Sequence, residues 1–152
     1  MTLNKKHSAF TMIEIMIVIF IIGLLASVVG PNLIKLIGKG QVSSTKSTLA
    51  GLKAALTSFK MDVGRFPESE SKNAKEGLKA LITPKANAPW KGYQGPYLEG
   101  VTEVPQDAWQ RDFEYNCPPQ KFKGKYQYYE IISYGEKDKE SATEQDILDM
   151  GA

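Results

Sequence analysis

Residues 10–29 read FTMIEIMIVIFIIGLLASVV, twenty positions with a single charge at Glu14. At ~1.5 Å of rise per residue, a helix of that length crosses the ~30 Å hydrocarbon core of a bilayer. A soluble core helix rarely runs so far without a second polar position. A carboxylate inside a membrane helix costs roughly 2.5–3.5 kcal/mol at the bilayer centre. Glu14, fifth in the run, therefore either lies shallow enough to reach the headgroups or awaits a positive partner. The nine residues before the run, MTLNKKHSA, carry Lys5 and Lys6 and no acid. That is the cytoplasmic flank of a segment that sends its C-terminal side outward.

Leader, run and carboxylate together, SAFTMIEIMIVIFIIGLLASVVGPNL, resemble the N-terminal signature of type IV pilins and pseudopilins. The resemblance implies that a prepilin peptidase cuts between Ala9 and Phe10 and methylates the new amine of Phe10. The family usually has Gly before the cut, where this chain has Ala9. It also implies that the freed Phe10 amine pairs with Glu14 of a neighbouring subunit during filament assembly, turning a costly carboxylate into a docking register. An ordinary secretory signal would have a shorter apolar region and an A-x-A-like exit. A plain signal anchor explains the hydrophobicity and the lysines but leaves Glu14 without a reason.

The chain of 152 residues, less a membrane helix, leaves one globular domain of roughly 100 residues. Of 19 basic residues, Lys5 and Lys6 go with the leader, leaving 17 against 17 acidic ones. A neutral balance argues against a general nucleic-acid-binding charge field. Cys117 is the only cysteine and His7 the only histidine, the latter in the leader. The processed chain therefore has no intrachain disulfide, Ser-His or Cys-His nucleophile, or His-containing metal triad. A glycine-rich phosphate loop is also missing. Carboxylate or Ser-Lys chemistry stays open, but no spacing points to it, and the chain reads as a non-enzyme.

Pro31, after Gly30, removes a helix hydrogen bond and crowds the preceding turn. With Gly23 upstream, residues 24–32 are the weakest part of the helix. This is either a passive kink, as membrane helices tolerate, or, by the resemblance, a segment that melts on packing into a filament. Beyond it, Val42, Leu49, Leu52, Leu56, Phe59 and Val63, with Thr45 in the gap, recur at steps of three and four, one helix face laid on a core. Ser43, Lys46, Ser47, Lys53 and Lys60 lie off the stripe, facing water. Gly38, Gly40 and Gly51 lower helix propensity by up to ~1 kcal/mol each, so curvature or a partial interruption is expected near residues 38–40. Gly64 ends the helix.

Pro67, Pro84, Pro89 and Pro96 punctuate the following stretch too often for long elements, leaving one short helix over residues 74–82. Phe113, Tyr115 and Cys117 alternate with polar residues, and a second strand signal covers residues 126–133, giving two antiparallel strands. The helical stripe is the cover for this sheet, and Trp90, Trp109 and the tyrosines read as core and corner residues. Arg65-Phe66-Pro67, Gly77-Leu78 with Leu81, Gly95-Pro96-Tyr97-Leu98 and Pro105-x-Asp107-x-Trp109 resemble markers of the major pseudopilins of type II secretion systems. Ala108, Gln110 and Arg111 stand where that family has Pro, Gly and Asn. Ser133-Tyr134-Gly135 and Asp146-Ile147 resemble the family's terminal loop, where carboxylates and carbonyls hold calcium. The resemblance makes calcium the candidate cofactor, with Asp138, Glu144 and Asp146 as ligands. Lys137 stands where the family often has an acid. Read without the resemblance, the same residues are a solvated charged tail.

The expected fold is α+β and type IV pilin-like, a long N-terminal helix on a small antiparallel sheet. Its segments are a leader (1–9), a transmembrane and assembly helix (10–30), an amphipathic continuation (31–63) and a globular region (64–152). By the resemblance, Ala9 and Phe10 are the processing residues and Glu14, Gly23 and Pro31 the assembly residues. The resemblance implies a major pseudopilin that is held in the inner membrane with its C-terminal region in the periplasm, then polymerises into a periplasmic pseudopilus driving secretion. Its partners would be further copies of itself, prepilin peptidase, minor pseudopilins, the inner-membrane assembly platform and, before assembly, lipid. The alternatives are a type IV pilus subunit for adhesion, motility or DNA uptake and, outside the family, a signal-anchored periplasmic binding module or enzyme.

Overall fold

The computed structural model describes residues 10–69 and 74–152, apart from the side chains of 30–32 and 74–76. The leader and Ala9 lie outside the described residues, as does the side chain of Pro31. Helix α1 spans Met12–Val63, 52 residues without a break. Thr11 caps it, since the Glu14 N–H donates to Thr11 Oγ1 at 3.3 Å. Thr-x-x-Glu is the spacing of a capping box, so Glu14 also sits where a negative charge favours the helix N-terminus. The expected interruption near residues 38–40 is absent. Two glycines lower propensity by only ~1 kcal/mol each, too little to break a ladder of main-chain hydrogen bonds. Gly64, at φ +87°, closes the helix with its N–H on the Lys60 carbonyl at 2.8 Å.

Compactness divides the chain at Lys39 and Gly40. In the first unit α1 buries no described side chain, and every large apolar residue of 12–29 is exposed. In the second unit the stripe turns inward: Thr45, Leu49, Leu52, Leu56 and Phe59 are buried, and Val42 and Val63 half-buried. Lys46 and Lys60 face water, but Lys53 does more than that. Its Nζ donates to the Gly151 carbonyl at 3.1 Å and ties the helix to the sheet.

Helix α2 covers Ala74–Lys79, shorter than residues 74–82 because the chain turns back through Leu81 and Ile82 onto the carbonyls of Leu78 and Lys79. Phe59 is the aromatic hub, meeting Trp90 at 5.3 Å and Tyr93 and Tyr97 at 5.8 Å, all edge-on. Trp90 thus packs against the core as expected.

The sheet has three strands, not two: β1 (Glu114–Asn116), β2 (Glu130–Ser133) and β3 (Leu148–Gly151), antiparallel in that order. The second strand is shorter than residues 126–133 because the N–H groups of Gln127, Tyr128 and Tyr129 turn onto the Ala152 carbonyl instead. The third was missed because LDMG has little strand character. Its pairing rests on long-range contacts such as Lys125 Nζ on Asp149 Oδ2 at 2.7 Å. β2 is buried at all four positions because it is central and covered on both faces. Tyr129 and Ile131 belong to the main core, Ile132 and Tyr134 to a smaller one with Ile147.

Glu130, fully buried on β2, is held by four donors. Gln120 and Lys121 N–H and Asn116 Nδ2 reach Oε1 at 2.8–2.9 Å, and Phe122 N–H reaches Oε2 at 2.7 Å. Burial pushes its carboxyl up, but the Lys121, Phe122 and Gln120 N–H groups and the Asn116 amide outweigh it and hold the group below its ordinary 4.5. The depressed value means that this stabilisation is complete above the ordinary 4.5 and is lost as pH falls through the lowered native value.

Two stability measurements on the full-length chain in detergent check this packing. Phe59→Ala is expected to cost about 3–5 kcal/mol in chemical denaturation. Glu130→Gln turns an amide donor toward donors and should cost about 2–4 kcal/mol at neutral pH. It should also flatten part of the acid limb of the stability–pH curve, an effect Phe59→Ala lacks.

Candidate functional site

Two regions carry the residues singled out by sequence. The first is the start of α1. Phe10, Glu14 and Gly23 are exposed, and open space surrounds the position a Cβ would take at Gly23. Met16, Ile19, Phe20, Leu24 and Ser27 surround this notch. Ser27 Oγ donates back to the Leu24 carbonyl at 2.7 Å, so its hydroxyl is satisfied within the helix. This surface is apolar on all sides, with one carboxylate at its beginning. Such a surface can insert into lipid or pack against other helices, and a small residue such as Gly23 lets a neighbouring backbone come close. Pro31 lies within the continuous helix.

The second region is built around the Pro105-x-Asp107-x-Trp109 motif. Asp107 is buried. Its Oδ1 accepts from Trp109 N–H at 3.0 Å and Arg111 N–H at 2.9 Å, and its Oδ2 from Ser133 Oγ at 2.7 Å. The main chain closes the turn, with Asp107 N–H on the Arg111 carbonyl at 2.9 Å. Thr45 of α1 accepts from the Ala108 N–H at 3.1 Å. Helix, turn and central strand thus meet through one carboxylate and two hydroxyls. Gln110, at φ +61°, is in the left-handed region that the family's Gly enters freely. The turn forms with Gln there, at a cost of ~1–2 kcal/mol.

The terminal loop, residues 135–147, does not bring the candidate ligands together. Asp138 Oδ1 accepts from the Ser141 N–H at 2.9 Å and from the Ser141 hydroxyl. Asp146 Oδ2 accepts from Thr143 N–H at 2.9 Å, Thr143 Oγ1 at 2.5 Å and Lys137 Nζ at 3.0 Å. The Thr143 donors, then Lys137, hold the Asp146 carboxyl down at about 2, and the Ser141 donors lower Asp138. Glu144 is exposed. Among the described residues no three His, Cys, Asp or Glu side chains are grouped to hold a metal ion. Asp138 and Asp146 are instead satisfied by protein donors.

Sequence reasoning missed the loop's real anchors. Arg111 donates to the carbonyls of Gly135 at 3.1 Å, Glu136 at 2.7 Å and Lys137. Glu114 on β1 accepts from Lys139 Nζ at 2.6 Å and Tyr134 hydroxyl at 2.8 Å. Burial pushes the Glu114 carboxyl up, but Lys139, Tyr134 and Asn116 hold it below the ordinary carboxylate value. The one signal in the sequence was the replacement of the family's Asn by Arg111.

A family model described as type II secretion system (T2SS), protein G matches residues 32–150, and one for the prokaryotic N-terminal methylation motif matches residues 4–30. The chain is 36% identical to type II secretion system core protein G of Klebsiella michiganensis, over 95% of this chain and 93% of that one. It is 34% identical to the protein of the same name from Aeromonas hydrophila (95% and 92%) and 32% identical to that of Escherichia coli K12 (99% and 96%). In three dimensions it resembles the major pseudopilin from the type 2 secretion system of enterohaemorrhagic Escherichia coli. The TM-score is 0.53 at 24% identity, over 78% of this chain and 93% of that one. The α+β, pilin-like fold expected from sequence is therefore the one observed. With a family model spanning most of the chain and relatives aligned almost end to end, the chain belongs to the type II secretion system protein G family.

Proposed function

We propose that this chain is a major pseudopilin, a structural and non-catalytic subunit that polymerises into a periplasmic pseudopilus and drives type II protein secretion. The observation that carries the proposal is the stretch of α1 over residues 12–29, an apolar surface exposed on every side with Glu14 as its one charge. Left in water, such a surface would aggregate, so it needs lipid before assembly and neighbouring helices afterwards. Membership in the protein G family and the methylation motif over residues 4–30 support this reading over an adhesive or DNA-uptake pilus and over a solitary anchored enzyme.

In this proposal prepilin peptidase cuts between Ala9 and Phe10 and methylates Phe10. The new amine meets Glu14 of the next subunit, and the notch at Gly23 admits a packed helix. Residues around Pro31 supply the weak point, because proline leaves the Ser27 carbonyl without its helix donor. The subunit waits in the inner membrane with its N-terminus cytoplasmic, and then passes to the assembly platform and minor pseudopilins.

Intact mass of the protein from cells with and without the peptidase tests the first step. The expected product starts at Phe10 and carries an added ~14 Da methyl group only when the peptidase is present. An unprocessed Met1 form in both strains would leave a plain signal anchor. Glu14→Ala tests the second step. It should remain in the inner membrane yet lose filaments and secretion at least tenfold, since an uncompensated charge at a packed interface is worth on the order of 2–5 kcal/mol. Normal filaments from Glu14→Ala would remove the docking role.

A further inference from the structure

The guanidinium of Arg111 reaches three successive main-chain carbonyls, those of Gly135, Glu136 and Lys137. Carbonyls turned toward one positive group can supply part of the shell of a hard cation, which takes about six to eight oxygen ligands. Here the positive group is a side chain that is always charged and carries five donors in a rigid fork. The backbone of Arg111 is fixed at both ends by Asp107, through the Arg111 N–H on Oδ1 and the Arg111 carbonyl on the Asp107 N–H. The loop starts from the same anchor, since Ser133 Oγ donates to Asp107 Oδ2 and accepts the Gly135 N–H at 3.2 Å. The guanidinium and the carbonyls it binds therefore hang from one buried carboxylate.

Two of the loop's candidate acids are already engaged by protein donors: Asp138 by Ser141, and Asp146 by Thr143 and the Lys137 ammonium. A divalent ion would meet a guanidinium at the carbonyls and an ammonium at the carboxylate. We propose that Arg111 is the permanent internal cation of the terminal loop and that this chain folds and stays folded without calcium. The protein would then keep its stability in a periplasm depleted of divalent ions. The proposal concerns the loop alone and holds or fails independently of filament assembly.

The test uses the full-length chain in detergent, melted with about 1 mM calcium, enough for weak extracellular-type sites, and again with excess EGTA. The two melting temperatures are expected to coincide, and terbium is expected to show no stoichiometric sensitised luminescence. An ion bound at about one to ten times its dissociation constant would instead raise the wild-type melting temperature by roughly 1–6 °C, and a reproducible calcium-dependent rise of that kind overturns the proposal. Arg111→Ala should lower the melting temperature and speed proteolytic cleavage within residues 135–146 in either buffer. Arg111→Lys should recover only part of this, because a point charge cannot span three carbonyls. Melting and cleavage of Arg111→Ala indistinguishable from wild type would equally overturn it. Should Arg111→Ala fail to fold, the wild-type comparison decides alone.

Discussion

One helix in this molecule has to satisfy two different solvents. Its first unit exposes apolar side chains on every face, and in its second unit only the stripe from Thr45 to Phe59 is buried. Removing that stripe from water is the main source of cohesion for residues 40–152, because three short strands cannot form a core by themselves. The sheet and connecting loop are therefore arranged around α1: Phe59 gathers the aromatic rings, Thr45 takes the Ala108 N–H, and Lys53 reaches the Gly151 carbonyl.

Polar groups fix what the apolar ones leave loose. Hydrophobic contact is non-directional and would tolerate several placements of such short strands. Asp107 and Glu130 remove that freedom, because each buried carboxylate must meet its donors from separate parts of the chain. Asp107 joins a turn to the central strand, and Glu130 joins β2 to the loop that follows β1. A buried carboxylate with unmet lone pairs is costly, so these positions select one register.

The family resemblance carried the overall reading but not every local detail. Leader, apolar run, Glu14 and helical stripe were legible because each is a local pattern whose meaning depends on composition and periodicity. The candidate calcium ligands followed from the resemblance, yet Asp138 and Asp146 turn to Ser141 and Thr143. Arg111 and Lys137, both recognised as departures from the family pattern, are the residues that reorganise the loop. A substitution of an amide by a cation changes which charges the surrounding carbonyls can accept, and that effect shows only when the carbonyls are seen to converge.

By itself the sequence determined that this chain carries a membrane-length helix with one buried-type charge, that the helix continues as an amphipathic face, and that a small β-containing region must cover it. These are consequences of the order of apolar and polar residues along one element. Only the tertiary structure decided that LDMG is the third strand, that β2 is buried on both faces, that Glu130 sits among four donors, and that Arg111 takes the centre of the terminal loop. Those features pair groups distant in the chain. Their energies depend on geometry that no local pattern encodes.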